Sequence, residues 1–275
     1  MTTAALDTPQ LQEIARKVRI NTIKMLHEAG SGHPGGSLSA CDVMTVLLNK
    51  VMRHDPKNPR WEDRDRFVLS KGHCIPAWYC LLAEAGYFPE EDLMTLRKLG
   101  SPLQGHPDNT RLDCMEACTG SLGQGLSVAI GMALAGKTDK KDFRVYCMIG
   151  DGETQEGQIW EAFLAAPKFN LDNLVVILDH NKGQIDGPVA EIMPLEPISD
   201  KLRAFNWHDI DIDGHDYSQI EAAFAEAKKV QGKPVFIHAD TVKGKGVSFM
   251  EGKIDWHGKA PSAEETEKAV AELSA

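Results

Sequence analysis

Val145-Tyr146-Cys147-Met148-Ile149-Gly150-Asp151-Gly152-Glu153 is the stretch that decides the fold. Its unbroken apolar run is short and reads as a strand buried on both faces, the kind found in parallel sheets. The two glycines that follow let backbone approach a ligand closely. A helix predicted to begin near Thr154 and run to Phe169 offers unpaired N–H groups to an anion. One βαβ unit downstream, Leu174 to Leu178 is a second strand, ending on Asp179-His180-Asn181-Lys182-Gly183. Asp151, the side-chain amide of Asn181 and a carbonyl around Gly183 make an oxygen-only set. Such a set suits a hard divalent ion, Mg²⁺ or Ca²⁺, beside phosphate oxygens. Alone, Gly-Asp-Gly reads equally well as a tight turn in which Asp151 caps the next helix. Asn181 at the neighbouring strand end favours the ion site.

Upstream, Leu11, Ile14, Ala15, Val18, Thr22, Met25 and Leu26 recur at spacings of three and four, a helix that Gly30 stops. The Gly/Pro-dense loop Ser31–Gly36 leads to a helix expected over Ser39–Val51. Arg66–Ser70 reads as a strand running into Lys71-Gly72-His73. An acidic helix near Glu90–Leu99, a polar connection over Gly100–Thr119 and a helix over Ser121–Ala135 follow. Downstream come a strand near Trp207–Ile212, a helix over Ser218–Val230, the strand Val235–Ala239 and a short acidic helix over Ser262–Ala275. This alternation predicts an α/β fold, a parallel sheet with helices on both faces that binds ligands at the carboxyl ends of its strands. With no internal repeat or linker, residues 1–275 are expected to form one domain.

Composition narrows the functional classes. Apolar residues at 42% and charged residues at 25% are ordinary for a globular chain of 275 residues. A formal charge of −10 argues against nucleic acid as a partner. No apolar run reaches bilayer length, and the first residues lack the basic and apolar regions of a signal peptide, so a cytoplasmic protein without a membrane partner is expected. The 6 cysteines form no CxxC pair and are read as free, mostly buried thiols.

Four histidines share an unusual context: His33 in SGHPGG, His73 in SKGH, His106 in QGHPD and His257 in DWHGKAP. Each lies beside Gly or Pro in a loop, and together they indicate an assembled site that needs neutral donors, acceptors and proton carriers. His27, His54, His180, His208, His215 and His238 lack that context and read as surface or structural. Gly131–Thr138 matches GxxxxGK[ST], but it ends a helix instead of opening one after a strand. We therefore read Gly136 as a helix C-cap and Lys137 as a favourable C-terminal charge. Lys243 and Lys245 lie on a strand-end loop, where phosphate support and a solvated charge pair are equally good readings; neither is counted as a site residue.

GDGETQEGQIWEA followed by NKGQIDG resembles the thiamine diphosphate signature of transketolases, and SGHPGGSLS, LSKGH, QGHPD, TGSLGQGLS and WHG are similar to that family's other blocks in the same order. The resemblance implies a thiamine diphosphate-binding fold and two-carbon ketol transfer from a ketose or its phosphate to an aldose or its phosphate. It implies that Asp151, Asn181 and the Gly183 carbonyl hold the divalent ion, and that His73, Gly152 and His257 contact the diphosphate. Gly120 and Leu122 would lie against the cofactor rings, and Glu156 would join a carboxylate network linking active sites across a dimer. The catalytic histidines would be His33, His73, His106 and His257, with His33, His106 and His257 facing the sugar. Ser121 stands where many family members have Pro.

A family member also needs a pyrimidine-binding domain and a C-terminal domain, for which 275 residues leave no room. The expected partner is therefore a separate C-terminal transketolase subunit carrying the pyrimidine-binding domain, with two copies of each chain. Ketol transfer on a modified or branched sugar phosphate, or a non-catalytic scaffold module, are the competing readings. The intact Asp151–Asn181 pair and the four loop histidines disfavour the scaffold.

Overall fold

The computed structural model describes residues 6–275. Helix α1 (Thr8–Ala29) opens on a capping box: the Gln10 N–H donates to Asp7 at 2.9 Å, and the Asp7 N–H donates to the Gln10 side chain at 2.9 Å. Its buried stripe contains Leu11, Ala15, Val18, Met25 and Leu26, and Gly30 caps it. The next stretch departs from expectation. Helix α2 (Pro34–Ser39) already begins inside the presumed loop, because Pro34 suits a first helical position. The chain then breaks at Ala40 into α3 (Cys41–Val46) and a π-helical turn, Leu47–Val51, in place of one helix over 39–51.

Strand β1 (Arg66–Leu69) leads to α4 (Ile75–Glu84); the acidic segment beyond is only a 3₁₀ turn, Glu90–Thr95. Helix α5 (Gln124–Thr138) starts and ends three residues later than expected. Gly136 is thus inside its last turn and not a C-cap. It is small because a Cβ there would lie 2.8 Å from the Phe143 ring. Lys137 does act at the helix end, donating at 2.6 Å to both the Asn170 carbonyl and Asp172. Then follow β2 (Val145–Gly150), α6 (Gly157–Lys168), β3 (Leu174–His180), the hairpin β4 (Gly183–Gln184) and β5 (Gly187–Pro188), α7 (Val189–Ile192) and α8 (Ile198–Ala204). The remaining elements are β6 (His208–Asp213), α9 (Tyr217–Ala227), β7 (Val235–Asp240) and α10 (Ala263–Ser274).

The large sheet is ordered β1-β2-β3-β7-β6, and every neighbouring pair is parallel. Alternation along the inner strands feeds two cores. Tyr146, Met148, Val175, Ile177, Val235 and Ile237 pack with residues of α1, α3, α4 and α9. Cys147, Ile149, Val176, Leu178 and Phe236 face the other way, with residues of α5, α6 and α8. Because all five strands run one way, their polar ends gather along one edge of this sandwich. Cys41, Cys74, Cys80 and Cys147 are buried and all six thiols are free, though Cys118 is exposed. Among the described residues no helix is long and apolar enough to cross a membrane.

Candidate functional site

A cavity of about 450 Å³ opens at the carboxyl ends of the strands. His33, His73, His106, Gly120, Leu122, Asp151, Gly152, Glu156, Asn181, Gly183 and His257 all line it. The sequence-derived candidates therefore converge from seven separate segments onto one space.

The wall at the end of β2 is built differently from expectation. The chain first makes a 3₁₀ turn, Gly152–Gln155, and α6 begins only at Gly157. The turn, not a helix N-terminus, faces the cavity. Glu153, on that turn, is buried and binds three segments: it accepts from Ser70 Oγ at 2.5 Å, from the Gly123 N–H at 2.8 Å and from the Gly150 N–H at 3.0 Å. Burial pushes its carboxyl above the ordinary range, against the pull of these donors. Nearby, Gln158 donates to the Leu122 carbonyl at 2.8 Å, fixing the loop that ends at α5. The Ser121 carbonyl accepts from the Gln124 N–H at 3.4 Å in the same turn, and Ser121 itself is exposed.

Two glycines are required by close approach. Gly120 has φ +142°, and a Cβ there would lie 2.9 Å from the His106 ring. A Cβ at Gly152 would lie 2.9 Å from Gln184 Cβ. Any larger residue at either position would fill the cradle.

Asp151 sits at the floor with both carboxylate oxygens engaged, one by the Gly152 N–H at 2.8 Å and the other by the Lys182 N–H. Lys182 holds φ +67° to aim that N–H. Asn181 Oδ1 accepts from Gly183 at 3.2 Å, while its amide N–H₂ donates to Asp179 at 2.9 Å and Ser39 at 3.1 Å. Burial and the neighbouring Asp179 push the Asp151 carboxyl up to about 6. A carboxylate so disfavoured beside two further oxygen donors is a setting that a hard cation relieves. Each of these oxygens keeps an unused lone pair. The donor set fits the implied ion.

Beneath them lie two buried lysines. Lys71 pairs with Asp179, which also accepts from Thr241 at 2.6 Å and Ser39 at 2.7 Å. Burial pulls the Lys71 ammonium down, but Asp179 outweighs it and holds the charge. Lys243 donates at 3.1 Å to both the Gly183 carbonyl and His257 Nδ1. Burial holds its pKa below the lysine range. Lys243 thus belongs to the site, although the sequence alone does not place it there; Lys245 sits apart, half-exposed, 3.8 Å from Glu251.

Three imidazoles cluster over this floor in tilted and edge-to-face pairs, with centroids 5.0 Å (His33–His73), 5.2 Å (His73–His257) and 5.6 Å (His33–His257) apart. Burial depresses all of them, His33 to about 4 with help from Arg97, and His257 to about 3 with help from Lys243. His73 is held well below its usual range by burial and Lys71, and His106 is lowered by burial and Arg97. All four rings are therefore neutral near pH 7, each with one donor and one acceptor nitrogen. Since Lys243 donates to His257 Nδ1, the Nε2 of that ring carries its proton. His33 Nδ1 is buried with no partner among the described residues, a polar atom left for a ligand.

Lys71 and Asp179 stand in the motifs quoted above, and their signal is alternation: Asp179 follows Val175 and Ile177 onto one buried face, where a charge needs a partner. Glu153 and Arg97 carry no such local signal, because their partners are distant in sequence.

Residues 10–274 match the family model described as transketolase, thiamine diphosphate binding domain. The chain belongs to the transketolase family. It is 50% identical over 263 residues to the 6-deoxy-6-sulfo-D-fructose transketolase subunit SqwG of Clostridium sp. (strain MSTE9), a match covering 96% of each chain. An apulose-4-phosphate transketolase subunit of Phocaeicola vulgatus is 42% identical, over 98% of this chain and 95% of that protein. The crystal structure of transketolase from Campylobacter jejuni superposes with a TM-score of 0.93 at 37% identity, covering 98% of this chain but 43% of that one. The chain is thus a transketolase-type enzyme component dependent on thiamine diphosphate, and it spans less than half of that longer family member.

Proposed function

We propose that this chain is the diphosphate-binding subunit of a two-part transketolase that moves a two-carbon ketol unit from a ketose to an aldose. A single cavity that gathers the oxygen set, the buried lysines and four neutral histidines is the observation that carries this reading. Asp151, Asn181 and the Gly183 carbonyl would hold Mg²⁺ or Ca²⁺, and His73, Gly152 and His257 would face the diphosphate. When bound, thiamine diphosphate supplies the electron sink that lets the bond between the ketose's second and third carbons break. His33, His106 and His257 would hold the sugar's first hydroxyls, and their neutral rings pass protons at Nδ1 or Nε2 near pH 7. Glu156, exposed at the cavity rim, would meet the second active site of the assembly.

The assembly we propose has a separate partner carrying the pyrimidine-binding domain, two copies of each chain, and residues 1–275 as one domain; the end-to-end match with two proteins named as subunits supports the separate partner. The donor we favour is a ketose bearing an anion at its far end. The name of the relative at 50% identity specifies a 6-sulfo ketose and favours sulfonate over phosphate. Co-production with such a partner, followed by assay of ketol transfer from 6-deoxy-6-sulfo-D-fructose and from a ketose 6-phosphate, tests both parts. The expected result is activity from the pair alone, higher on the sulfo-sugar. Turnover by the purified chain without a partner would overturn the two-part reading, and a preference for the phosphate would overturn the choice of donor.

A further inference from the structure

Two histidines that the cavity does not use lie on the opposite face of the same strand ends. In the parallel register of β3 and β7, Leu178 pairs with His238 and His180 with Asp240. Alternation therefore puts both imidazoles on the Leu178–Phe236 face, away from Asp179. Their rings meet edge to face at 4.6 Å, and both side chains are mostly buried. Glu196, from the segment between α7 and α8, brings Oε1 to 3.3 Å from His180 Nε2. One ligand atom from each of His180, Glu196 and His238 lies within 4.8 Å of the others. Ligands about 2.1 Å from a tetrahedral ion stand about 3.4 Å apart, so small side-chain rotations complete the triangle.

The outer nitrogens strengthen the case. His180 Nδ1 lies 3.4 Å from Asp240 Oδ1, and His238 Nδ1 lies 3.4 Å from Asp211 Oδ1 and 3.1 Å from Ser199 Oγ. A ligating histidine characteristically gives its other ring N–H to a carboxylate, which fixes the tautomer and leaves Nε2 for the metal. The local charge agrees: Glu196, Asp200, Asp209, Asp211 and Asp240 are offset by Lys182, Lys201 and Arg203, leaving two negative charges for a divalent ion to neutralise.

We propose that His180, His238 and Glu196 bind a divalent transition-metal ion of the zinc type through two imidazole nitrogens and a carboxylate. The nitrogen-rich set differs in chemistry from the oxygen set at Asp151, so Mg²⁺ does not compete for it. Glu196 ends the segment whose beginning, Ile185 and Asp186, lines the cavity. A bound ion ties that segment to β3 and β7.

The test is calorimetric titration of Zn²⁺ into the metal-stripped full chain with Mg²⁺ in excess. One Zn²⁺ binds per chain; His238→Asn and Glu196→Gln each weaken binding at least about tenfold, and His257→Asn leaves it unchanged. Co²⁺ in place of Zn²⁺ gives the visible absorption of a low-symmetry site, which His238→Asn removes. Glu196 is half-exposed, so its variant folds even if the histidine variant does not. Absence of Zn²⁺ binding, parent-like affinity in Glu196→Gln, or loss of the site in His257→Asn alone would overturn the proposal, the last by placing the ion on the cavity histidines.

Discussion

Two buried charge networks lie on the same side of the sheet and are built to opposite ends. Behind the cavity, Arg19 grips Asp42 with two bonds of 2.9 and 2.7 Å, and Asp42 also accepts from His215 Nδ1 at 2.8 Å and Tyr217 at 2.7 Å. His215 Nε2 accepts from the Val242 N–H at 2.9 Å, so both Asp42 oxygens and both His215 ring nitrogens are engaged. The Arg19 guanidinium and these donors hold the Asp42 carboxyl far below the usual range, overcoming burial. At the cavity floor the balance is the reverse: Asp151 is pushed up and Lys243 and the histidines are pushed down. One network pairs its buried charges directly and fixes α1, α3 and α9 to each other. The other is held short of its charge complement, which is where a cation and an anionic cofactor gain their affinity.

The sharpest break between the two comes from Asp42→Ala. It strands the buried Arg19 guanidinium and costs about 3–5 kcal/mol of stability in urea denaturation. Asp151→Ala does the opposite: the ligand-free chain keeps its midpoint, while metal-dependent affinity for thiamine diphosphate, measured calorimetrically on the assembled complex, falls at least about a hundredfold. Parent-like affinity in that variant would remove Asp151 from the ion site. Glu153→Gln falls between the extremes. An amide accepts at one atom where the carboxylate accepts at two, so we expect a loss of about 1–2 kcal/mol, read by thermal unfolding. Equal stability would mean that the carboxyl is already neutral.

The smallest effect is one of pH. With His33 at about 4 in the folded chain against 6.5 ordinarily, the unfolded chain binds more protons between those values. Stability is therefore present above pH 6.5 and lost as pH falls toward 4. His33→Gln reduces this acid loss by at most about 1 kcal/mol after solvent screening, checked by urea midpoints at the two pH values. An unchanged slope would show that His33 is not held neutral by its surroundings.

The strands and most of the site are legible in the sequence because both are written in short patterns. The run at Val145 needs no partner to declare itself, and glycine-flanked histidines mark loops that something must approach. Lys243 is ambiguous there for a physical reason: its burial depends on Gly35, where a Cβ would stand 3.0 Å from Lys243 Cγ, a packing relation between segments far apart in the chain. The break at Ala40 is equally hidden. Ser39 must turn toward Asp179 from the end of α2, and only the assembled sheet edge reveals that demand. Helix α6 starts later than its sequence suggests because Glu153 bonds outward to Ser70 and Gly123 instead of serving a helical turn.

The position of β7 has a consequence for how the molecule is made. Among the described residues it is the last strand in sequence, yet it lies between β3 and β6. During synthesis, β1, β2 and β3 can pair while the other half of the sheet waits for β7. Thr241, Lys243 and His257 emerge later still, so the cavity floor is closed only after the sheet is complete. Competence to hold the cofactor is thus acquired late in folding, and a nascent chain, or one clipped just before β7, would keep the pairing of its first three strands while lacking the grip.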